Sequence, residues 1–200
     1  MFSLQTLINE ASDLNLKVIC LPFEVNTRDE FILNLFQSIF NIAVQNNIAI
    51  ITASGNNSNH ENSIQGIALL KNCITVGGID TSSNNIKPYE YSSSGPFSKT
   101  QKPDLVAACV DICSTNANIN YISERSGKKL YPIALKDPYT CYTGTSCAAA
   151  YVSGICALLY ENKPDITFTD LVALIKISCK SLDLPKYFQG SGMIQFEKLM

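Results

Sequence analysis

The run Gly144–Ala150, with the sequence Gly-Thr-Ser-Cys-Ala-Ala-Ala, most strongly constrains how this chain can fold. The apolar residues that follow it have helical spacing, so a buried helix is predicted to begin at about Thr145. The residues that carry this spacing are Val152, Ile155, Leu158 and Leu159. Ser146 would then lie near the positive end of the helix dipole, and its small neighbours would allow a sharp turn. Two interpretations stay open: Ser146 is a nucleophile presented at a turn, or it caps a tightly packed helix.

A second constraint is an apolar strand that ends in a polar turn. Residues 48–52 form a continuous apolar run of strand length, and Ala53-Ser54-Gly55-Asn56 follows directly. The turn consists of small residues and ends in a side-chain amide. Strands that alternate with helical segments along the chain predict an α/β fold, in which a mostly parallel sheet carries helices on both faces.

Together, these two stretches resemble the subtilisin-like serine protease family, peptidase S8. Three further segments match family motifs in the same order along the chain: 91–96 (Tyr-Ser-Ser-Ser-Gly-Pro), 102–107 (Lys-Pro-Asp-Leu-Val-Ala) and 190–194 (Gly-Ser-Gly-Met-Ile). The resemblance implies a subtilisin-like fold and a serine endopeptidase whose Ser146 attacks a carbonyl of a peptide or protein substrate. It also implies that the Asn56 amide and the Ser146 backbone N–H donate hydrogen bonds to the oxyanion.

The resemblance also assigns a substrate-binding surface. The predicted strand at 16–23 matches the family's edge strand, which pairs with the substrate backbone. The residues expected to contact the peptide there are Leu21, Pro22 and Phe23. Those expected to wall the pocket for the P1 side chain are Thr52, Ala53, Ser54 and Gly55. Glu24 and Val25 stand where the family usually has small residues, in space that a bound peptide would need.

The other two members of the family's catalytic triad have no counterpart at the expected positions. The family orders its triad as Asp, His and Ser along the chain, yet residues 1–55 contain neither an Asp-(Ser/Thr)-Gly nor a His-Gly-Thr-His segment. The single histidine, His60, follows Asn56 in an Asn-rich loop and is predicted to lie on the surface. A serine hydroxyl without a base is a poor nucleophile, because its proton has no acceptor.

We therefore expect residues 1–200 to form a single, incomplete catalytic domain that holds the nucleophile half of the fold and lacks its N-terminal part. Such a chain is expected to be inactive alone, with a second chain or an upstream segment supplying Asp and His. The alternative is a non-catalytic pseudoprotease, or a partner-binding subunit, that uses the same fold.

Composition narrows the classes of partner. Fifteen Lys and Arg against 17 Asp and Glu give a net charge of −2, which does not favour nucleic acid or an anionic membrane. No two of the eight cysteines have Cys-x-x-Cys spacing, and the sequence has a single histidine. Neither a metal nor another cofactor is therefore predicted. This spacing also argues against a metal or redox module. We expect the thiols to be reduced, which favours the cytoplasm, and the first residues show no signal peptide; the localisation is otherwise unknown.

Local patterns predict several elements around these motifs. Thr27 and Glu30 have the spacing of a capping box and predict a helix that ends at about Asn46. The apolar positions expected on its buried face are Phe31, Leu35, Ile39 and Ile42. One strand is predicted over 105–113, which would keep the side chains of Cys109 and Cys113 apart. A long insertion at 116–142 is predicted to contain a hairpin with its tip at 125–128.

Overall fold

The structure is a computed structural model that describes residues 1–95, 101–117, 124–129 and 136–199. Its strands are β1 (Val18–Leu21), β2 (Ala49–Ala53), β3 (Ile74–Asp80), β4 (Lys87–Pro88), β5 (Leu105–Ala108), β6 (Ile112–Thr115), β7 (Glu124–Arg125), β8 (Lys128–Lys129) and β9 (Tyr139–Tyr142). Its α-helices are α1 (Phe2–Asn9), α2 (Glu30–Gln45), α3 (Thr145–Asn162), α4 (Phe168–Ser178) and α5 (Lys186–Gln189). Short 3-10 helices lie at Gly66–Leu69 and Phe196–Lys198.

The main sheet is mostly parallel. β1, β2, β3 and β5 lie side by side in that order and all run in the same direction. β4 adds a short antiparallel pairing at the end of β3. Leu21 pairs with Thr52, so the segments that leave β1 and β2 emerge next to each other at the carboxyl edge of the sheet.

Both faces of this sheet are covered by helices. Ile51 and its neighbours on one face of β2 pack in a cluster with Val152 and Leu159 of α3 and Leu171 of α4. Ile50 belongs to the opposite cluster, which contains residues of α1 and α2. Side chains alternate between the two faces of a strand, and here both faces are buried. The predicted α/β class is therefore confirmed. Within the part of the chain that the structure describes, no helix is long and apolar enough to cross a membrane.

The predicted end of α2 at Asn46 is confirmed, but its predicted start was wrong, and of the residues predicted on its buried face only Ile39 is buried. Asp29 is the N-cap, and its carboxylate accepts hydrogen bonds from the backbone N–H groups of Phe31 and Ile32. Thr27 instead accepts from the N–H of Asp29 through its hydroxyl. The residues that α2 buries are Phe36, Ile39, Phe40 and Ala43. Phe31 is 71% exposed, because the helix carries overlapping apolar stripes and contact with the sheet selects only one of them.

The strand predicted over 105–113 is divided in two. β5 stays in the main sheet, whereas β6 leaves it and pairs with β9, a strand that the sequence did not predict. The break falls at Asp111, whose φ of 52° is left-handed. Cys109 is buried and Cys113 is exposed as a result.

A hairpin is present at the predicted place in the insertion. β7 and β8 pair antiparallel around Ser126 and Gly127, which both have positive φ, as a two-residue hairpin turn of this kind requires. The outer parts of this predicted hairpin, 119–123 and 130–133, lie outside the described residues. So does Pro96 of the 91–96 motif.

A buried ion pair joins the loop before β5 to the rest of the core. Lys102 Nζ lies 2.7 Å from Asp104 Oδ2 and donates to the backbone carbonyl of Cys73 at 2.9 Å. Asp104 also accepts from the N–H of Thr75 and from the half-exposed Lys176 on α4. Burial alone would raise the pKa of Asp104, but the two lysines and the Thr75 N–H outweigh it and lower that pKa. The 102–107 motif therefore connects β3, β5 and α4.

Candidate active site

The site lies at the carboxyl edge of the parallel sheet. The segments after β1 and β2 meet there, and α3 begins beside them. In open α/β sheets, ligands usually bind just outside the carboxyl ends of the parallel strands. The backbone N–H of Gly144 donates to the carbonyl of Cys109 at 2.9 Å, which connects the start of α3 to the end of β5.

Ser146 lies in the first turn of α3, as predicted. The turn before it depends on Gly144, whose φ of +150° is a conformation that residues with a side chain rarely adopt. Ser146 is half-buried, and its hydroxyl donates to the backbone carbonyl of Pro22 at 2.7 Å. The hydroxyl therefore faces the segment that follows β1.

Asn56 is held against the same turn. Its Oδ1 accepts from the backbone N–H of Thr145 at 3.0 Å, and the Thr145 hydroxyl lies 3.4 Å from the same oxygen. The Thr145 hydroxyl also accepts from the N–H of Gly55 at 3.3 Å. Because Oδ1 faces the helix N-terminus, the amide NH₂ of Asn56 is the group left to donate elsewhere. The structure thus brings Asn56 and Ser146, 90 positions apart in sequence, into one site.

Glu24, in the segment that follows β1, contacts the segment that follows β2. Its Oε1 accepts from the backbone N–H of Asn56 at 2.6 Å and lies 3.5 Å from Asn56 Nδ2. Its Oε2 accepts from the amide of Asn57 at 3.0 Å. A methyl group added to Gly55 would lie 3.1 Å from the Glu24 carboxyl group. The sequence marks Glu24 as unusual for the family, but it does not show that its carboxylate binds Asn56, because that contact joins separate loops.

The residues expected to bind substrate differ in exposure. Phe23 is 49% exposed, and the carbonyl of Pro22 is engaged by Ser146. Leu21 is buried in the sheet cluster with α2. Thr52 is fully buried, and its hydroxyl bonds with that of Thr75.

The other residues of the predicted P1 wall are also buried. Ala53 and Ser54 are each 2% exposed, and the Ser54 hydroxyl has no hydrogen-bond partner among the described residues. Gly55 is buried beside Glu24. That Thr52–Gly55 wall a P1 pocket stays a prediction.

No base contacts Ser146 in the part of the chain that the structure describes. Its hydroxyl bonds to a backbone carbonyl rather than to an imidazole or a carboxylate. His60 is exposed, and its backbone N–H donates to the hydroxyl of Ser58. The described residues also contain no group of three His, Cys, Asp or Glu side chains arranged to hold a metal ion.

The neighbouring thiol is not an activated nucleophile. Burial raises the pKa of Cys147, the residue after Ser146. Burial, with a smaller contribution from Cys147, raises the pKa of Cys109 to about 12. Reactive cysteines have lowered pKa values, so neither thiol has the environment of a catalytic cysteine.

Comparison with known proteins supports the sequence resemblance. The model of the subtilase family, Peptidase_S8, matches residues 2–192. The serine protease AprX of Bacillus subtilis is 30% identical over 157 residues, which cover 75% of this chain and 34% of AprX. The subtilisin-like protease SBT1.9 of Arabidopsis thaliana is 30% identical over 113 residues, which are 55% of this chain and 14% of that protein. The chain thus spans about a third or less of the length of these relatives.

Solved structures share the fold. Sphericase superposes with a TM-score of 0.75 at 21% identity, over 96% of this chain and 61% of sphericase. Fervidolysin from Fervidobacterium pennivorans superposes with a TM-score of 0.71 at 19% identity, over 98% of this chain and 28% of that chain.

Proposed function

The chain belongs to the subtilase family, and from this premise we propose that it is the nucleophile-bearing part of a serine endopeptidase that hydrolyses peptide bonds. The observation that carries the proposal is the joint placement of Ser146 and Asn56 at the start of α3. Separate loops bring a serine hydroxyl and a side-chain amide to one turn, and these are two of the groups that acyl transfer uses.

Each group has a definite task in this proposal. The Ser146 hydroxyl attacks the scissile carbonyl, and its proton must pass to a base. The Asn56 amide and the backbone N–H of Ser146 donate to the oxyanion that forms. Ser146 N–H belongs to the first turn of α3, where backbone N–H groups have no partner within the helix and the dipole favours negative charge.

The peptide would bind along β1. This strand lies at the edge of the described sheet, so its outer N–H and C=O groups can pair with an extended chain. Leu21, Pro22 and Phe23 would contact the peptide backbone, and Thr52–Gly55 would form the P1 side of the site. The Pro22 carbonyl would have to exchange its bond with Ser146 for contacts to substrate.

The base and its aspartate would come from a second chain or an upstream segment. Support for this is that Ser146 contacts no titratable side chain among the described residues. A chain that holds Ser146 without a proton acceptor is expected to be inactive alone.

A fluorophosphonate probe, which reacts with activated serines, tests this function. In the native gene product, purified from its own cells, we expect labelling of Ser146, and the isolated 200-residue chain should label no faster than its Ser146→Ala variant. Ser153→Ala is the matched control, because Ser153 lies on the same helix and donates to the carbonyl of Ala149. Absence of labelling at Ser146 in the native product would contradict the proposal.

The second candidate function is a non-catalytic one, in which the fold binds a partner. Glu24 favours it, because its carboxylate already engages the Asn56 backbone N–H at 2.6 Å. A native product that binds peptides but shows no probe labelling at Ser146 would support this alternative.

A further inference from the structure

Two cysteines face each other on the strand pair that precedes the nucleophile. The register of β6 and β9 makes Cys113 and Cys141 direct antiparallel partners. Both are free thiols, and both are exposed. Directly opposed side chains lie on the same face of a ladder, so the two thiols share one side of this pair.

The hydrogen-bond pattern shows what kind of pair this is. The N–H of Asn116 donates to the carbonyl of Pro138 at 2.8 Å, and these two residues continue the same register one step beyond β6 and β9. Hydrogen-bonded and non-hydrogen-bonded pairs alternate along an antiparallel ladder. Three steps separate this bond from Cys113 and Cys141, so the cysteines form a non-hydrogen-bonded pair. In such pairs the Cα atoms are about 4.5 Å apart, within the range that a disulfide bridges.

We propose that Cys113 and Cys141 are a disulfide-forming pair, which closes when the protein meets an oxidising thiol buffer. The other thiols are less suited to this reaction. Cys109 and Cys156 are buried, which raises the pKa of each to about 12 and suppresses its thiolate. Exposure and register therefore single out one pair among the eight cysteines.

A disulfide between Cys113 and Cys141 would restrict the motion of the segments that lead to Ser146. The segment before β6 and the segment after β9 stay in contact beyond the cysteines, since the N–H of Asp111 donates to the Thr143 hydroxyl at 3.0 Å. The next contact joins Gly144 to Cys109, directly before α3. A covalent link between β6 and β9 would fix the two strands next to the turn that begins α3. This effect does not depend on whether Ser146 is catalytic.

The chemistry is a thiol–disulfide exchange with a small disulfide such as oxidised glutathione. One cysteine thiolate attacks a glutathione sulfur, forms a mixed disulfide and releases one glutathione thiolate. The second cysteine thiolate then attacks the protein sulfur of that mixed disulfide and releases the other. The protein loses two protons and two electrons, and the two molecules of reduced glutathione that form carry both away.

The test is to equilibrate the full chain with oxidised glutathione and stop the exchange with acid. All remaining thiols, buried ones included, are then alkylated in denaturant and mapped by mass spectrometry. We expect alkylated thiols to fall from eight to six, and the missing two to be Cys113 and Cys141 joined in one cross-linked peptide. Reduction should lower the melting temperature by about 5–10 °C, because the bond closes a loop of chain across residues 114–140.

The matched control moves one thiol by a single position. In the double variant Cys113→Ser/Ser114→Cys the cysteine count is unchanged, but the thiol lies opposite Thr140 and on the other face of the ladder. This variant should remain unbridged in the same buffer. Eight free thiols in the oxidised wild-type chain, a bond between other cysteines, or equal oxidation of the shifted variant would each overturn the proposal.

The disulfide map of the wild-type chain tests the proposal even if the shifted variant fails to fold. Repeated in a high concentration of urea, the same oxidation should lose its preference for the 113–141 bond, because the register that aligns the two thiols is then absent. An unchanged preference in urea would mean that the fold does not select the pair, and would also overturn the proposal.

Discussion

The Glu24 carboxylate lies 2.6 Å from the backbone nitrogen of Asn56 and 3.5 Å from its side-chain nitrogen. A negatively charged acceptor thus stands beside the amide that would bind the oxyanion in the proposed reaction. Any ligand that brings its own anionic oxygen to Asn56 must compete with this carboxylate, through both charge repulsion and loss of its hydrogen bonds.

Glu24→Ala is therefore expected to strengthen the binding of a peptide with a free C-terminal carboxylate. We expect the Kd to fall about tenfold, the equivalent of one hydrogen bond to a charged group. Fluorescence anisotropy with a labelled acetyl-tetrapeptide measures the change. Glu61→Ala, in the Asn-rich loop after Asn56, should leave the affinity as it is. Equal affinities of the wild type and Glu24→Ala would show that the carboxylate does not compete.

Asn56→Ala should cost about 1 kcal/mol of unfolding free energy. Its Oδ1 accepts the Thr145 N–H, and that donor at the start of α3 loses its partner when the amide is removed. Urea unfolding measures the difference. The neighbouring variant Asn57→Ala should stay within about 0.5 kcal/mol of the wild type, because that exposed side chain bonds to Glu24 and not to a helix terminus. Equal costs for the two variants would contradict this capping role.

Asp104→Ala should be far more damaging than removal of either asparagine. It leaves the ammonium group of Lys102, a residue only 4% exposed, without its carboxylate, a change that typically costs about 3–5 kcal/mol. Lys176→Met removes the half-exposed partner of the same carboxylate and should cost about 0–1 kcal/mol. Both values come from urea unfolding at pH 7. A small cost for Asp104→Ala would mean that the pair is not essential to the core.

The same pair predicts a loss of stability in acid. The pKa of Asp104 is lowered by the lysines and the Thr75 N–H, which outweigh its burial. Its contribution is therefore present above the unfolded-state pKa of about 3.9 and is lost as the pH falls through the lower folded-state value. Unfolding free energies measured from pH 6 to pH 2 should fall more steeply for the wild type than for Asp104→Asn. Parallel curves would contradict the linkage.

Gly78→Ala should destabilise the protein by about 1–3 kcal/mol, because a methyl group on this β3 residue would overlap the sulfur of Cys109. The second change Cys109→Ala removes that sulfur and should restore part of the loss. Thermal unfolding of the single and double variants measures the coupling. If the effects of the two substitutions were strictly additive, the overlap with Cys109 would not be the cause of the destabilisation.

Local patterns predicted the elements that the chain forms by itself. Residues 48–51 are apolar, and the strand Ala49–Ala53 is buried on both faces, which is typical of a short apolar run in a covered sheet. The small residues at 144–150 predicted the turn and the helix that contains Ser146. These features depend on propensity and periodicity, which are properties of neighbours along the chain.

The sequence by itself determined the family, the α/β class and the position of Ser146 at the start of a helix. Only the tertiary structure decided which stripe of α2 is buried, where the strand after Leu105 leaves the sheet and which cysteine Cys113 faces. It also decided that Glu24 meets Asn56, 32 positions further along the chain. The physical reason is that these contacts join distant segments, and their distances depend on how the sheet and its loops pack together rather than on any local pattern.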